Sequence, residues 1–188
     1  MSVSHGHSLR GKNTMEGEDV GLAIQLQPTT AQDLDFVLSV ERNPENAPFI
    51  GQWSYDRHLQ SCQSPNECHW LIVEQETQER VGYVILLDVQ NPDQSLQIKR
   101  IAISRKGKGM GKAALQQVLQ AAFMELNAHR VWLDVMADNL RAYTLYRKLG
   151  FVEEGKLREA MKKPRGFVSL RLMSMLRSEF GEKFACEN

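Results

Sequence analysis

The densest group of chemically distinctive residues in this 188-residue chain is the run 105–112, where Arg105, Lys106, Lys108 and Lys112 alternate with Gly107, Gly109 and Gly111. Glycine lets the main chain approach an anion and adopt positive φ. The first amides of a following helix have no intrahelical acceptor, and the helix dipole adds positive potential there. Basic side chains reinforce those amides, so the run reads as a phosphate cradle. A nucleotide-triphosphate loop would need a glycine five positions before Gly111 and Ser or Thr after Lys112; Lys106 and Ala113 stand there. The dinucleotide fingerprint fails as well, because Lys112 occupies the place of its third glycine. A pyrophosphate carrier such as CoA is what remains.

The cradle has to lie between a strand and a helix, and the sequence provides both. Leu22, Ile24 and Leu26 alternate with polar or small residues up to Pro28, which predicts a first strand. Thr30 then caps a helix carrying Leu34, Val37, Leu38 and Glu41. Asn43, Pro44 and Pro48 break it, and a short helix is predicted over 55–61. Apolar runs at 69–74 and 80–87 flank a polar turn, the pattern of an antiparallel hairpin, and a third strand covers 96–103. Leu115, Val118, Leu119, Ala122 and Leu126 share a helical face over 110–127. A strand over 131–136 follows, then a helix over 139–149 stopped by Gly150, then strands over 151–158 and 167–176 joined by the loop 162–166. The expected fold is α/β: a mixed sheet with helices packed on it.

Composition narrows the function. Lys plus Arg and Asp plus Glu both number 23, so no global field draws the chain to nucleic acid or to an anionic membrane. The longest apolar stretch, 81–89, is strand-length and contains Gly82 and Asp88, so no membrane span is expected. The first residues lack a secretory pattern and the three cysteines, Cys62, Cys68 and Cys186, suit reduced thiols, which together predict a cytoplasmic protein. Cys62, Cys68 and His69 lack the paired spacing of a zinc site, so no metal is expected, and His5 and His7 fall in a polar lead-in. The predicted organisation is a flexible tail over 1–20, one domain over 21–180 and a C-terminal tail over 181–188.

Two segments resemble a known family. Arg100-Ile-Ala-Ile103 followed by Lys106-Gly-Lys-Gly-Met-Gly111 resembles the cofactor motif of the GNAT family of N-acetyltransferases, with Lys106 where Arg or Gln is usual and a loop about two residues shorter than is common. Asn139-Leu-Arg-Ala-Tyr-Thr-Leu-Tyr-Arg-Lys-Leu-Gly-Phe151 resembles that family's second motif. The resemblance spans 22–177 and looks nearest to the ribosomal-protein and spermidine acetyltransferase branch.

The resemblance implies a mostly antiparallel sheet of six to seven strands with helices on both faces. It also implies acetyl-CoA as co-substrate, bound by Ile101, Ala102, Ile103, Lys106, Gly107, Lys108, Gly109, Met110, Gly111, Lys112, Asn139 and Tyr146. Tyr146 matches the family's general acid, in preference to Tyr143 one turn earlier. Asp134, on one strand face with Trp132 and Met136, resembles a carboxylate base, with Glu41 and Glu45 as weaker candidates. The implied reaction is acetyl transfer to a primary amine (protein N-terminus, polyamine or other small amine) by direct attack in a ternary complex. The alternative is a non-catalytic acyl-CoA-binding module on the same fold. Glu41, Glu45, Asp56 and Glu67 are the acids available to attract a polyamine or lysine, and a monomer or homodimer is expected.

Overall fold

The structure is a computed structural model that describes residues 23–184; the expected tail over 1–20, with His5 and His7, and Cys186 lie outside them. Strand β1 (Ile24–Pro28) leads into a 3₁₀ turn (Ala31–Asp33) whose Asp33 carboxylate accepts the Thr30 amide at 2.9 Å, and helix α1 (Leu34–Arg42) continues from it. Helix α2 (Tyr55–Gln63) is capped by Ser54, whose hydroxyl accepts the Arg57 amide. Strands β2 (Glu67–Glu74), β3 (Arg80–Leu87) and β4 (Ser95–Ile103) form an antiparallel meander with β1.

Helix α3 (Met110–Gln120) follows the glycine-rich run, then β5 (Arg130–Met136), α4 (Leu140–Leu149), β6 (Val152–Lys163), β7 (Gly166–Leu176) and α5 (Arg177–Phe184). The seven strands make one sheet ordered β1-β2-β3-β4-β5-β7-β6, antiparallel except for β4 against β5.

Two cores cover the two faces. On one, Leu115, Val118 and Leu119 of α3 and Tyr146 and Leu149 of α4 pack on Val84, Leu86, Leu133 and Val135. On the other, Leu34, Val37 and Val40 of α1 pack on Leu71, Tyr83, Ile85 and Ala102. Strand β3 feeds both, which is why it reads as an unbroken apolar run rather than an alternation. Strand β4 changes frame midway: Ile98 opposes Leu86 and Arg100 opposes Ile85, so Lys99 bulges out unopposed. Leu96 and Ile98 before the bulge, and Ile101 and Ile103 after it, consequently share the α3 face, while Arg100 and Ala102 turn to the α1 face.

Three boundaries depart from the sequence reading. The helix predicted to reach 127 is regular only to Gln120; it then widens over Ala121–Glu125, where the Leu126 amide reaches back five residues to the Ala121 carbonyl and Phe123 stays buried. Strand β6 runs to Lys163, not 158, because a bulge at Glu159 (φ 51°) scrambles its alternation. Helix α5 crosses the place where a tail was expected. It carries little apolar periodicity and is held by a Phe180–Phe123 stack at 4.9 Å and by Glu179, which accepts the Leu176 amide at 2.8 Å.

Candidate active site

Parallel strands β4 and β5 pair only over Ser95–Arg130, Leu96–Val131 and Gln97–Trp132. Beyond that point they part, leaving the facing edges of residues 98–103 and 133–136 without a strand partner between them. A cleft of about 990 Å³ occupies this notch, in the size range of small-molecule sites. It is bordered by the glycine-rich run, the head of α4 and the loop between α1 and α2.

At one end lie Lys106, Gly107, Gly109, Met110, Gly111 and Lys112. Gly107 (φ 96°) and Gly109 (φ 75°) hold the left-handed conformation that turns successive amides to one side. Among the described residues no acceptor takes the amides from Lys106 through Gly111, whereas those of Lys112 and Ala113 already bond back to Gly109. This is the open nest a pyrophosphate requires.

Lys106 donates to the Glu45 carbonyl and sits 3.8 Å from the Glu45 carboxylate. Its ammonium is held below the ordinary lysine value, chiefly by burial, with the charge of Arg141 adding to the effect. Arg141, on α4, therefore faces the cradle across the cleft. Lys108 is exposed and does not border the cleft, and Arg105 is engaged with Glu79 at 2.5 Å.

Ile101, Ala102 and Ile103 border the notch along the free edge of β4. Its end is pinned by Asn46, whose side-chain amide donates to the carbonyls of Val40 and Ile103. Asn139 caps α4 by accepting the Ala142 amide at 3.2 Å. Its own NH₂ has no acceptor among the described residues and the side chain borders the cleft.

The two tyrosines of α4 have different surroundings. Tyr143 donates to Glu153 at 2.9 Å, lies under the Arg171 guanidinium and does not border the cleft. Tyr146 is 9% exposed, packs edge-on against Phe151, borders the cleft and has no hydrogen-bond partner for its hydroxyl among the described residues. Burial, with the negative charge of Asp134 adding to it, pushes the phenol up to about 12.

Asp134 borders the same cleft and accepts a hydrogen bond from the buried Gln97 side chain at 3.3 Å, where the notch opens. Leu133 and Val135 face α3 and α4, so Asp134 faces the opposite side of the sheet. The notch thus passes through the sheet, with the phenol on one side and the carboxylate on the other.

Neither weaker base candidate is free. Glu41 is fully buried and receives Arg100, the Tyr83 hydroxyl at 2.7 Å and the Trp53 amide at 3.2 Å. His58 Nε2 stands 3.1 Å from it, off the line of a good hydrogen bond. Burial alone would raise the Glu41 pKa, but His58, Arg100 and Tyr83 outweigh it and hold the carboxyl below its ordinary value. His58 continues through His69 to Thr29 in a buried polar chain, and burial pushes His69 down to about 3. Glu45 is committed to Lys106 and Glu67 to Arg57 at 2.9 Å, while Asp56 does not border the cleft. The four acids expected to draw in a cationic acceptor do not form an acidic wall. Cys62 and Cys68 lie on opposite faces of the sheet and do not meet around one ion.

The acetyltransferase (GNAT) domain family matches residues 23–152 of the chain. The chain belongs to the GNAT acetyltransferase family. As a GNAT enzyme it transfers acetyl from acetyl-CoA to an amine. The spermidine N(1)-acetyltransferase of Vibrio cholerae serotype O1 is 28% identical over 127 residues, covering 67% of this chain and 71% of that protein. The Escherichia coli K12 enzyme of the same name is 27% identical over 149 residues, covering 72% and 76%. The structure of the Vibrio cholerae spermidine N-acetyltransferase in complex with CoA and spermine superposes with a TM-score of 0.76 at 23% identity, over 84% of this chain and 97% of that one. These relatives lie on the spermidine side of the resemblance seen in the sequence.

Within this GNAT domain, the sequence did not single out Gln97, Asn46 or Arg141. Gln97 lies on the predicted third strand with no local signal to mark it, and Asn46 sits in a loop read only as a helix break. Arg141 was visible as a basic residue at a helix head, but nothing in the sequence says that this head faces the glycine run.

Proposed function

We propose that the protein acetylates a primary amine by direct attack in a ternary complex, with Asp134 as general base and Tyr146 as general acid. The observation that carries this reading is the parted β4–β5 notch, which joins an open amide nest to a carboxylate and an unpartnered phenol. The acetyl group comes from acetyl-CoA, whose pyrophosphate fits the amides of 106–111 with Lys106, Lys112 and Arg141 around them. Ile101, Ala102 and Ile103 offer free strand edge to the pantetheine arm, and Asn139 its side-chain amide.

Asp134 accepts the proton the amine must lose to become nucleophilic, and Tyr146 donates to the departing sulfur. The two steps are linked. Part of what holds the phenol proton so tightly is the charge of Asp134. When Asp134 takes up the amine proton that charge disappears, and Tyr146 becomes a better acid as the thiolate forms.

The relatives named for spermidine make a polyamine the first acceptor to assay, alongside amino acids and peptide N-termini. No helix among the described residues is long and apolar enough to cross a membrane. A cytoplasmic location is proposed from Cys62 and Cys68, neither of which is in a disulfide among the described residues.

The test is thiol release from acetyl-CoA over an amine panel, with the melting temperature read with and without acetyl-CoA. Release that depends on an amine and is lost in Tyr146→Phe supports the reading. Binding without release with any amine, or no melting shift at all, refutes it.

A further inference from the structure

The acceptor side of the notch, on the α1 face of the sheet, is built from three parts. Its floor carries Asp134 and, through the frame change at Lys99, Arg100. Its roof is the loop Phe49, Ile50, Gly51 and Trp53. Its end wall is the tip of the β6–β7 hairpin, where Met161 borders the cleft and Lys163 donates to the Ile50 carbonyl at 2.9 Å.

The charges of this chamber are unequal in their pairing. Among the described residues bordering it, Glu45 is paired with Lys106 and Asp138 with Arg165, so Asp134 is the carboxylate left without a cation. On the basic side, Lys163 has no carboxylate within ion-pair distance among the described residues, and neither has Lys99, exposed at the bulge.

Arg100 gives one guanidinium nitrogen to Glu41 while its side chain stays 3% exposed under Trp53. Its guanidinium also lies beside the Tyr83 hydroxyl, but the Nη2 donors meet no acceptor among the described residues, and the residue borders the cleft. The space beside those donors is kept by Gly51: a Cβ there would come within 2.9 Å of Arg100 Nη2. Burial and the charges of Arg165 and Arg100 together hold the Lys163 ammonium below its ordinary value, as expected of a cation lacking a counter-charge.

We propose that this chamber selects acceptors that carry a carboxylate on the same molecule as the reacting amine, with the amine at Asp134 and the carboxylate on the spare donors of Arg100, while Lys163, behind the hairpin wall, adds positive potential to that end. A buried guanidinium with an unused nitrogen beside an unpaired ammonium is a carboxylate-recognising arrangement. An amino-acid-type zwitterion matches the single free acid and the free cations at once. A polyamine would bring several positive charges to a chamber with one free carboxylate.

The inference rests on the amine-transfer reading above and deepens it. Its test compares matched acceptors in the thiol-release assay: glycine with glycinamide, lysine with cadaverine, and spermidine as the polycation. The carboxylated member of each pair is expected to lead by about tenfold or more in kcat/KM, the size of one charged hydrogen bond. Lys163→Met is expected to shrink that lead by raising KM for the carboxylated member. Arg100→Lys, which keeps a cation against Glu41 but removes the spare donors, is expected to do the same. Spermidine or cadaverine used as well as or better than the amino acids, or a lead that survives both variants, overturns the inference and leaves amine transfer standing. Absence of release with every amine overturns both.

Discussion

Replacing Tyr146 with phenylalanine removes a single oxygen, which makes it a direct measure of what the hydroxyl contributes. The ring is 9% exposed, wedged against Phe151, and its hydroxyl bonds to nothing among the described residues, so the substitution leaves packing intact and no buried partner stranded. Stability at neutral pH is expected to change by under about 0.5 kcal/mol. Activity is expected to change much more: loss of a positioned general acid lowers kcat by about 10²-fold, or about 2.7 kcal/mol of barrier, with KM for acetyl-CoA little altered.

The same group carries an independent signature at high pH. The unfolded phenol ionises near 10 but the folded one near 12, so between those values the unfolded chain releases a proton that the native state keeps, and stability falls as pH rises. The size approaches two units, on the order of 2 kcal/mol by pH 12. Urea unfolding of both proteins from pH 9 to 12 reads it, and Tyr146→Phe should lack that portion of the decline. A variant retaining more than half of wild-type kcat would refute the acid assignment. An unchanged alkaline slope would refute the buried environment on which the assignment rests.

Other outcomes follow from the same geometry. Asp134→Asn is expected to lower kcat by about 10²-fold or more and to bring the phenol's ionisation down toward its ordinary value, readable by absorbance titration of the tyrosinate. Gly109→Ala places a Cβ at φ 75°, which should cost about 1–2 kcal/mol and raise KM for acetyl-CoA more than it lowers kcat. Glu41→Gln leaves Arg100 buried without its counter-charge and should lower stability by about 3–5 kcal/mol in thermal melts. Because the native Glu41 carboxyl ionises below its ordinary value, its contribution is present above about pH 4.5 and lost as pH falls through the native value, so acid melts of Glu41→Gln should be flatter there. His69 behaves the same way for the opposite chemical reason: it is held neutral down to about 3, so the unfolded chain gains a proton first as pH drops below about 6.5, and His69→Gln should blunt that part of the decline.

Much of the fold was legible because local and global preferences agree. The alternation in β1 and β5, the apolar stripe of α3 and the Gly150 stop of α4 each specify one element and lie where expected. The phosphate end of the site was legible for the same reason, since glycines and lysines at a strand-to-helix junction are a local signal. What escaped was set by contacts far apart in sequence. The choice of Tyr146 over Tyr143 rests on the family resemblance and not on periodicity; that Tyr143 turns to Glu153 is set by the packing of β6 on α4. Glu41 looked available as a base because nothing near it in sequence announces Arg100, 59 positions away. The long β6 and the widened end of α3 were obscured by a bulge and a wide turn, irregularities that erase the very periods by which elements are recognised.

The bulge at Lys99 works like an inserted letter in a two-letter code. Upstream of it, even-numbered positions of β4 face the α3 core; downstream, odd-numbered ones do. Lys99 itself is an exposed lysine, and nearly any side chain should be accepted there. Deleting it would leave those faces as they are: without Lys99, Ile98 and Arg100 become neighbours that still oppose Leu86 and Ile85, so the strand regains one unbroken alternation, Arg100 stays on the chamber floor, and only the local widening beside the notch is lost. Position 99 should therefore tolerate substitution and deletion alike without turning Arg100 out of the chamber, an outcome that a library containing both kinds of change would expose at a residue no alanine scan would mark.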